Sequence, residues 1–303
     1  MPIYLPPLSR RQFLARTLAA GAGLALFRSR LLAATRDQDP HAWALISDPH
    51  IAADRAKMAR GINMAGQLTI VVQDVLSQPR RPAAALINGD LAFNSGETAD
   101  YGTFTALVEP LRGARIPLQL ALGNHDHRER FWAALNNDKS IVRPLEDRQI
   151  AILPAARANW FMLDSLDKTL STPGLIGEAQ LAWLAQSLDA RKDKPALVML
   201  HHNPSLAPGK VSIIDEAALF EVLRPRRHVQ AYFFGHSHRW SVTRDPSGLH
   251  LINLPTTAYP FDAAQPIGWV MAQLQPRGMR LNLRCVDTKR ADHDQKIDLE
   301  WRS

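Results

Sequence analysis

Five short clusters in this 303-residue chain combine carboxylate, imidazole and amide side chains: Asp48-Pro49-His50, Asn88-Gly89-Asp90, Gly123-Asn124-His125-Asp126, His201-His202-Asn203 and Gly235-His236-Ser237-His238. Asp, His and Asn together, without thiolate, suit borderline-to-hard metal ions such as Mn, Fe, Co or Zn. Cys285 is the only cysteine, which excludes an intramolecular disulfide and a cysteine-based zinc site. Taken singly, each cluster has a plainer reading, because Gly, Asn and Asp also favour turns. Their common position is what carries weight: each follows an apolar run of strand length.

Those runs are Ala42–Ser47, Ala83–Asn88, Pro117–Leu122, Ala196–Leu200 and Ala231–Phe234. Between them lie segments with helical periodicity, about Met58–Ser77, Thr98–Leu111, Glu178–Arg191 and Glu216–Leu223. Continuous apolar strands alternating with helices indicate an α/β fold whose sheet is covered on both faces. Ligands of α/β sheets collect beyond the carboxyl ends of strands, so five such ends bearing Asp, His and Asn converge on one site. Glycines 89, 123 and 235 permit the tight turns and close backbone approach such a site needs. Leu181, Leu184 and Leu188 form a stripe that packs against the sheet. From Ser241 onward, turn signals and the strand-like runs Leu249–Leu254, Gly268–Leu274 and Met279–Arg284 suggest an antiparallel closing layer, 241–303, of one domain covering 41–303.

The net charge of +7 first suggests an anionic polymer as partner. Five arginines and no acidic residue fall within residues 1–34, however, leaving +2 on the remainder. No nucleic-acid footprint is therefore expected on the body. Ser9-Arg10-Arg11-Gln12-Phe13-Leu14, followed by the apolar run Thr17–Phe27, has the layout of a secretory signal. The run is shorter than the roughly 20 residues that span a bilayer, so no stable membrane span is expected. The string resembles the twin-arginine export motif. That resemblance implies a signal peptide over 1–34, a linker over 35–40, the twin-arginine machinery as partner, and a periplasmic or extracellular destination.

In this order the clusters resemble the calcineurin-like metallophosphoesterase superfamily: D-x-H, then G-D, G-N-H-D, H and G-H-x-H, over about Ala42–Trp240. The resemblance implies two packed mixed β-sheets flanked by helices and two metal ions per chain. It places one metal on Asp48, His50, Asp90 and His238, and the other on Asp90, Asn124, His201 and His236, with Asp90 bridging. His201 is preferred to His202 because it directly follows the strand Leu197-Val198-Met199-Leu200. It implies hydrolysis of a phosphate ester by a metal-activated hydroxide in line with phosphorus, two metals being able to hold the attacking and leaving oxygens. His125 resembles the family histidine that protonates the leaving group, with Asp126 orienting its ring; a supporting role near Asn124 is the other reading.

The departures narrow the branch. Leu122 stands where protein phosphatases of this superfamily carry arginine, and Phe93 where purple acid phosphatases carry a metal-binding tyrosine. Gly89-Asp90-Leu91 with Gly96 and Asp100-Tyr101 resembles the bacterial cyclic-nucleotide-phosphodiesterase-like enzymes. So do Leu163-Asp164-Ser165, Gly177-Glu178 and Leu181-x-Trp183-Leu184. Trp132, Trp240, Tyr259 and Phe261 suit either a base-binding wall or simple packing. The expected function is a phosphodiesterase on a small or lipid-derived diester. The alternatives are a broad phosphomonoesterase and, more distantly, an exported metal-binding protein without catalysis.

Overall fold

The computed structural model describes residues 38–135, 143–205 and 212–303. The residues read as a signal peptide, 1–34, lie outside the described residues. In chain order the elements are β1 (Gln38–Ser47), β2 (Met58–Ala59), β3 (Ile62–Asn63), α1 (Met64–Ser77), β4 (Arg81–Asn88), α2 (Thr98–Gly113), β5 (Leu118–Ala121), α3 (Arg128–Leu135), β6 (Ala151–Pro154) and β7 (Asn159–Met162). They continue with α4 (Glu178–Asp189), β8 (Ala196–Met199), α5 (Glu216–Leu223), β9 (Val229–Phe234), β10 (Ser241–Arg244), β11 (His250–Asn253), β12 (Gly268–Gln275), β13 (Gly278–Cys285) and β14 (Lys296–Glu300). β1 thus begins inside the stretch expected to be a linker.

Two six-stranded sheets result, ordered β14-β13-β12-β1-β4-β5 and β10-β11-β9-β8-β7-β6. Both are mixed: β4 and β5 run parallel beside the antiparallel β12–β13–β14, and β7, β8, β9 and β11 run parallel between the antiparallel edges β6 and β10. The strands expected to form one closing layer therefore divide between the two sheets, and β11 pairs parallel to β9.

Strand alternation explains the layering. In β1, Trp43 and Leu45 join Trp160, Met199 and Phe233 of the second sheet in the core between the sheets. Ala44 and Ile46 face the other way, onto Leu68, Val72, Phe104 and Leu111 of α1 and α2. On the outer face of the second sheet, the Leu181–Leu184–Leu188 stripe of α4 packs with Val198 and Phe234, as its spacing indicates. Both faces of each central strand are thereby buried, which is why those strands read as unbroken apolar runs. At about 25 cal/mol per Å² of apolar surface removed from water, this burial is the main force fixing the strand ends in space. Pro40–Ser303 forms one compact unit.

One expected helix is shorter than its periodicity suggests. Residues 58–63 form a two-stranded hairpin, Met58 opposite Asn63 and Ala59 opposite Ile62, and α1 starts at Met64. Arg60 and Gly61 have φ of 50° and 78°, the signs that both central residues of a type I′ turn require. Asn63 then caps α1, its side chain accepting the N–H of Gly66.

Candidate metal centre

The polar clusters sit where their strands stop: Asp48 after β1, Asp90 after β4, Asn124 after β5, His201 after β8 and His236 after β9. What turns the side chains together is backbone. Nine described non-glycine residues have positive φ, and five of them are Asp48 (52°), His50 (47°), Asp90 (49°), His236 (64°) and His238 (52°). Such conformations cost about 1–3 kcal/mol each and persist only where packing over-determines them. Gly123 and Gly235 are required by close approach. A Cβ on Gly123 would collide with the Asp90 carboxylate, and one on Gly235 with Ser47 and Asp48.

Two groups of donors result. Asp48, His50, Asp90 and His238, all buried, each offer one atom within 4.8 Å of the others, and Asp90, His201 and His236 do the same. The Asp90 Oδ2 belongs to both groups, lying 3.5 Å from His50 Nε2 and 3.3 Å from His201 Nε2. Asp48 Oδ1 lies 3.4 Å from His238 Nε2, and the His50 and His238 Nε2 atoms face each other at 3.1 Å. Asn124 Oδ1 is buried with no hydrogen-bond partner, and its neighbour His125 donates its backbone N–H to Asp90 Oδ1 at 2.8 Å.

The ring orientations have a shared cause. His50 Nδ1 bonds the carbonyl of Phe93 at 3.3 Å, His201 Nδ1 that of Asn88 at 3.0 Å, and His238 Nδ1 that of Tyr259. A carbonyl only accepts, so each Nδ1 carries the proton, and in the neutral ring Nε2 presents a lone pair inward. With the rings neutral, lone pairs and carboxylate oxygens would meet without a donor among them, a poor arrangement unless a proton or a cation joins them. The donor set therefore fits divalent metal ions, and a metal centre is the reading the cluster supports.

The electrostatics agree. Burial drives His50 and His236 down to about 4, keeping both rings neutral. Burial would raise Asp48, but the charge of His201 and then the proximity of His238 outweigh it and bring the carboxyl to about 2. Burial opposes protonation of His201 as well, yet the Asp90 and Asp48 charges lift it to about 10. A proton on His201 thus offsets two buried carboxylates, the charge a bound cation would supply instead.

Residues around these donors behave less uniformly. His202 stands beside the centre, not in it: its Nδ1 meets Ser165 Oγ at 2.8 Å and its carbonyl accepts the hydroxyl of Tyr232. His125 is half-buried, its ring edge-on to His50 with centroids 5.0 Å apart. Its Nδ1 bonds the Asn94 carbonyl at 2.8 Å, so the orienting contact expected from Asp126 comes from backbone. Asp126 instead accepts N–H groups from Leu91, Ala92 and Gly123 and the hydroxyl of Tyr101, tying the loops after β4 and β5 together. Burial, then the Asp90 charge, pushes its carboxyl up to about 7. Of the four aromatics named from sequence, Tyr259 and Phe261 reach the centre, stacking on His50 and His238. Trp132 packs on Arg143 and bonds Gln149, while Trp240 bonds Gln265 and Gln295. Sequence reasoning missed Ser47, which donates to the Asp48 carboxylate, and Arg60; an Arg-Gly pair just before the Asn63 cap was the available signal for the turn.

Comparison with known proteins places this geometry. The family model described as calcineurin-like phosphoesterase matches residues 43–240. The chain is 28% identical over 262 residues to the cAMP/cGMP dual specificity phosphodiesterase of Mycobacterium tuberculosis, spanning 83% of this chain and 78% of that protein. It is 26% identical over 249 residues to the 3′,5′-cyclic adenosine monophosphate phosphodiesterase of Haemophilus influenzae, spanning 77% and 85%. Among solved structures, a dimetal phosphatase from Danio rerio superposes with a TM-score of 0.67 at 17% identity, over 87% of this chain and 100% of that one.

Proposed function

This chain belongs to the calcineurin-like phosphoesterase family and is a hydrolase of phosphoric esters, and from that premise we propose that it is a two-metal phosphodiesterase acting on a small diester. The observation that carries the two-metal reading is the shared Asp90 Oδ2, which faces one histidine of each donor group. Asp48, His50, Asp90 and His238 would hold one ion, and Asp90, Asn124, His201 and His236 the other. When bound there, the pair supplies an activated water at neutral pH and offsets the charge of the phosphoryl oxygens.

The chain's own groups do the rest. The Nδ1–H groups of His50, His201 and His238 donate to backbone carbonyls, which fixes the Nε2 atoms before substrate arrives and spares reorganisation. The His125 Nδ1 proton is held by Asn94, so Nε2 is the ring atom left to protonate the leaving oxygen. Asp126 keeps the two loops in register, and so places Asp90 and His125 relative to each other.

A diester substrate is supported by the Gly89-Asp90-Leu91 run with Gly96 and Asp100-Tyr101, and by relatives named as cyclic-nucleotide phosphodiesterases. Comparing bis-p-nitrophenyl phosphate with p-nitrophenyl phosphate on metal-loaded protein tests it. The diester should be the better substrate; faster turnover of the monoester would favour a broad phosphomonoesterase instead.

The destination belongs to the same reading. Arg10-Arg11 ahead of the Thr17–Phe27 run supports twin-arginine export, a route that suits a protein carrying its metals before translocation. Among the described residues no helix is long and apolar enough to cross a membrane.

A further inference from the structure

The β2–β3 hairpin carries an arginine with an unusual setting. Among the described residues Arg60 makes no hydrogen bond or ion pair; its guanidinium lies over two rings instead, 5.1 Å from the centroid of Phe261 and 5.7 Å from that of Tyr259. Those rings reach the metal centre. Phe261 stacks on His238 at 4.2 Å and 12°, and Tyr259 on His50 at 5.3 Å and 25°. Phe261 is nevertheless 55% exposed, one of five large apolar side chains left in water among the described residues.

Both sides of this arrangement are anchored, the Phe261 side to a residue of the centre itself. The two-residue turn fixes Arg60, and Asn63 at its foot donates to the Arg55 carbonyl at 2.8 Å while capping α1. The segment leading to Phe261 is pinned just beyond β1, with Ala258 N–H and Thr256 Oγ1 each donating to the Asp48 carbonyl at 3.2 Å. A planar fork of five donors without an acid partner thus lies beside an exposed ring that stacks on a ligand histidine.

We propose that Arg60 and Phe261 are the specificity-determining residues of this site, recognising a nucleobase on the alcohol portion of the diester. The inference rests on the diesterase reading above. An aromatic face suits the π-surface of a base, and a guanidinium fork suits the acceptors on its edge. With the phosphoryl group at the ligand histidines, Phe261 lies one ring layer away, within reach of a base joined to phosphorus through a sugar. Lys57, 5.3 Å from the Phe93 ring, adds positive charge to the same segment but no planar fork.

The test is equilibrium binding by calorimetry on the manganese-loaded full chain. The probes are the slowly hydrolysed Rp-phosphorothioate of adenosine 3′,5′-cyclic phosphate, and inorganic phosphate as the base-free control. Arg60→Ala, Arg60→Lys and Phe261→Ala should each weaken the nucleotide about tenfold or more, about 1.4 kcal/mol, with phosphate affinity changed by less than about twofold. Loss in the lysine variant shows that the fork and not the charge is read. The proposal is overturned if nucleotide affinity is the same in all four proteins, if Arg60→Lys binds like the unaltered chain, or if phosphate and nucleotide weaken in parallel. Nucleotide binding that depends on Arg60 and Phe261 without turnover of any diester would instead overturn the diesterase reading, leaving base recognition by these two residues but not its place in a diester substrate.

Discussion

The backbone N–H of His125 donates to Oδ1 of Asp90 at 2.8 Å. This bond holds one carboxylate oxygen and leaves the other, Oδ2, facing His50 and His201 together. The residue assigned to protonation and the residue assigned to bridging are thus joined through main chain, and substitutions of either side chain separate their roles.

Asp90→Ala removes the one group common to both donor sets. It should strip both metals and abolish turnover while the far-UV circular dichroism spectrum persists, since the core between the sheets does not include Asp90. Elemental analysis decides the point; a variant that keeps two ions per chain rules out the bridge.

His201 and His202 are neighbours with different contacts. His201 Nε2 meets Asp90 Oδ2 at 3.3 Å, whereas His202 is held by Ser165. His201→Ala should lose one metal and all measurable activity. His202→Ala should cost about 10–100-fold at most, the usual scale for groups that orient a metal ligand. Metal loss confined to His202→Ala would move the ligand by one residue.

His125→Ala leaves the backbone N–H, and with it the bond to Asp90, in place. Metal content should therefore not change. A general acid contributes roughly 10²–10⁴-fold when the leaving group is poor and little when it departs as a stable anion. An alkyl diester should slow far more than bis-p-nitrophenyl phosphate. Equal slowing of both would make His125 a phosphate-positioning group.

Arg10→Lys together with Arg11→Lys keeps the charge of the N-terminal segment but removes the arginine pair. Fractionation should find the double variant retained in the cytoplasm; efficient export would sink the twin-arginine reading.

Much of this site was legible because burial on both faces writes the central strands as apolar runs, and Asp48, Asp90 and His201 come within two residues of the ends of β1, β4 and β8. Other features depend on information that no local pattern carries. β11, β12 and β13 are legible as strand-like runs while the short β10 and β14 are not, and their partners are set by long-range pairing, so that β10–β11 and β12–β14 join different sheets. The Met58–Asn63 hairpin was masked by the helical periodicity that follows it, and β6 and β7, four residues each, are too short for a clear period. Asp126 was placed beside His125 by adjacency in sequence, whereas its carboxylate faces the backbone amides of two other loops.

The central claim is that catalysis needs two ions held jointly by Asp90. Chelator-stripped protein titrated with Mn²⁺ while hydrolysis of bis-p-nitrophenyl phosphate is followed tests it most directly. Activity should be absent at the start, rise with added metal and level off only at two equivalents per chain. Full activity in the stripped protein, or a plateau at one equivalent, would contradict the account.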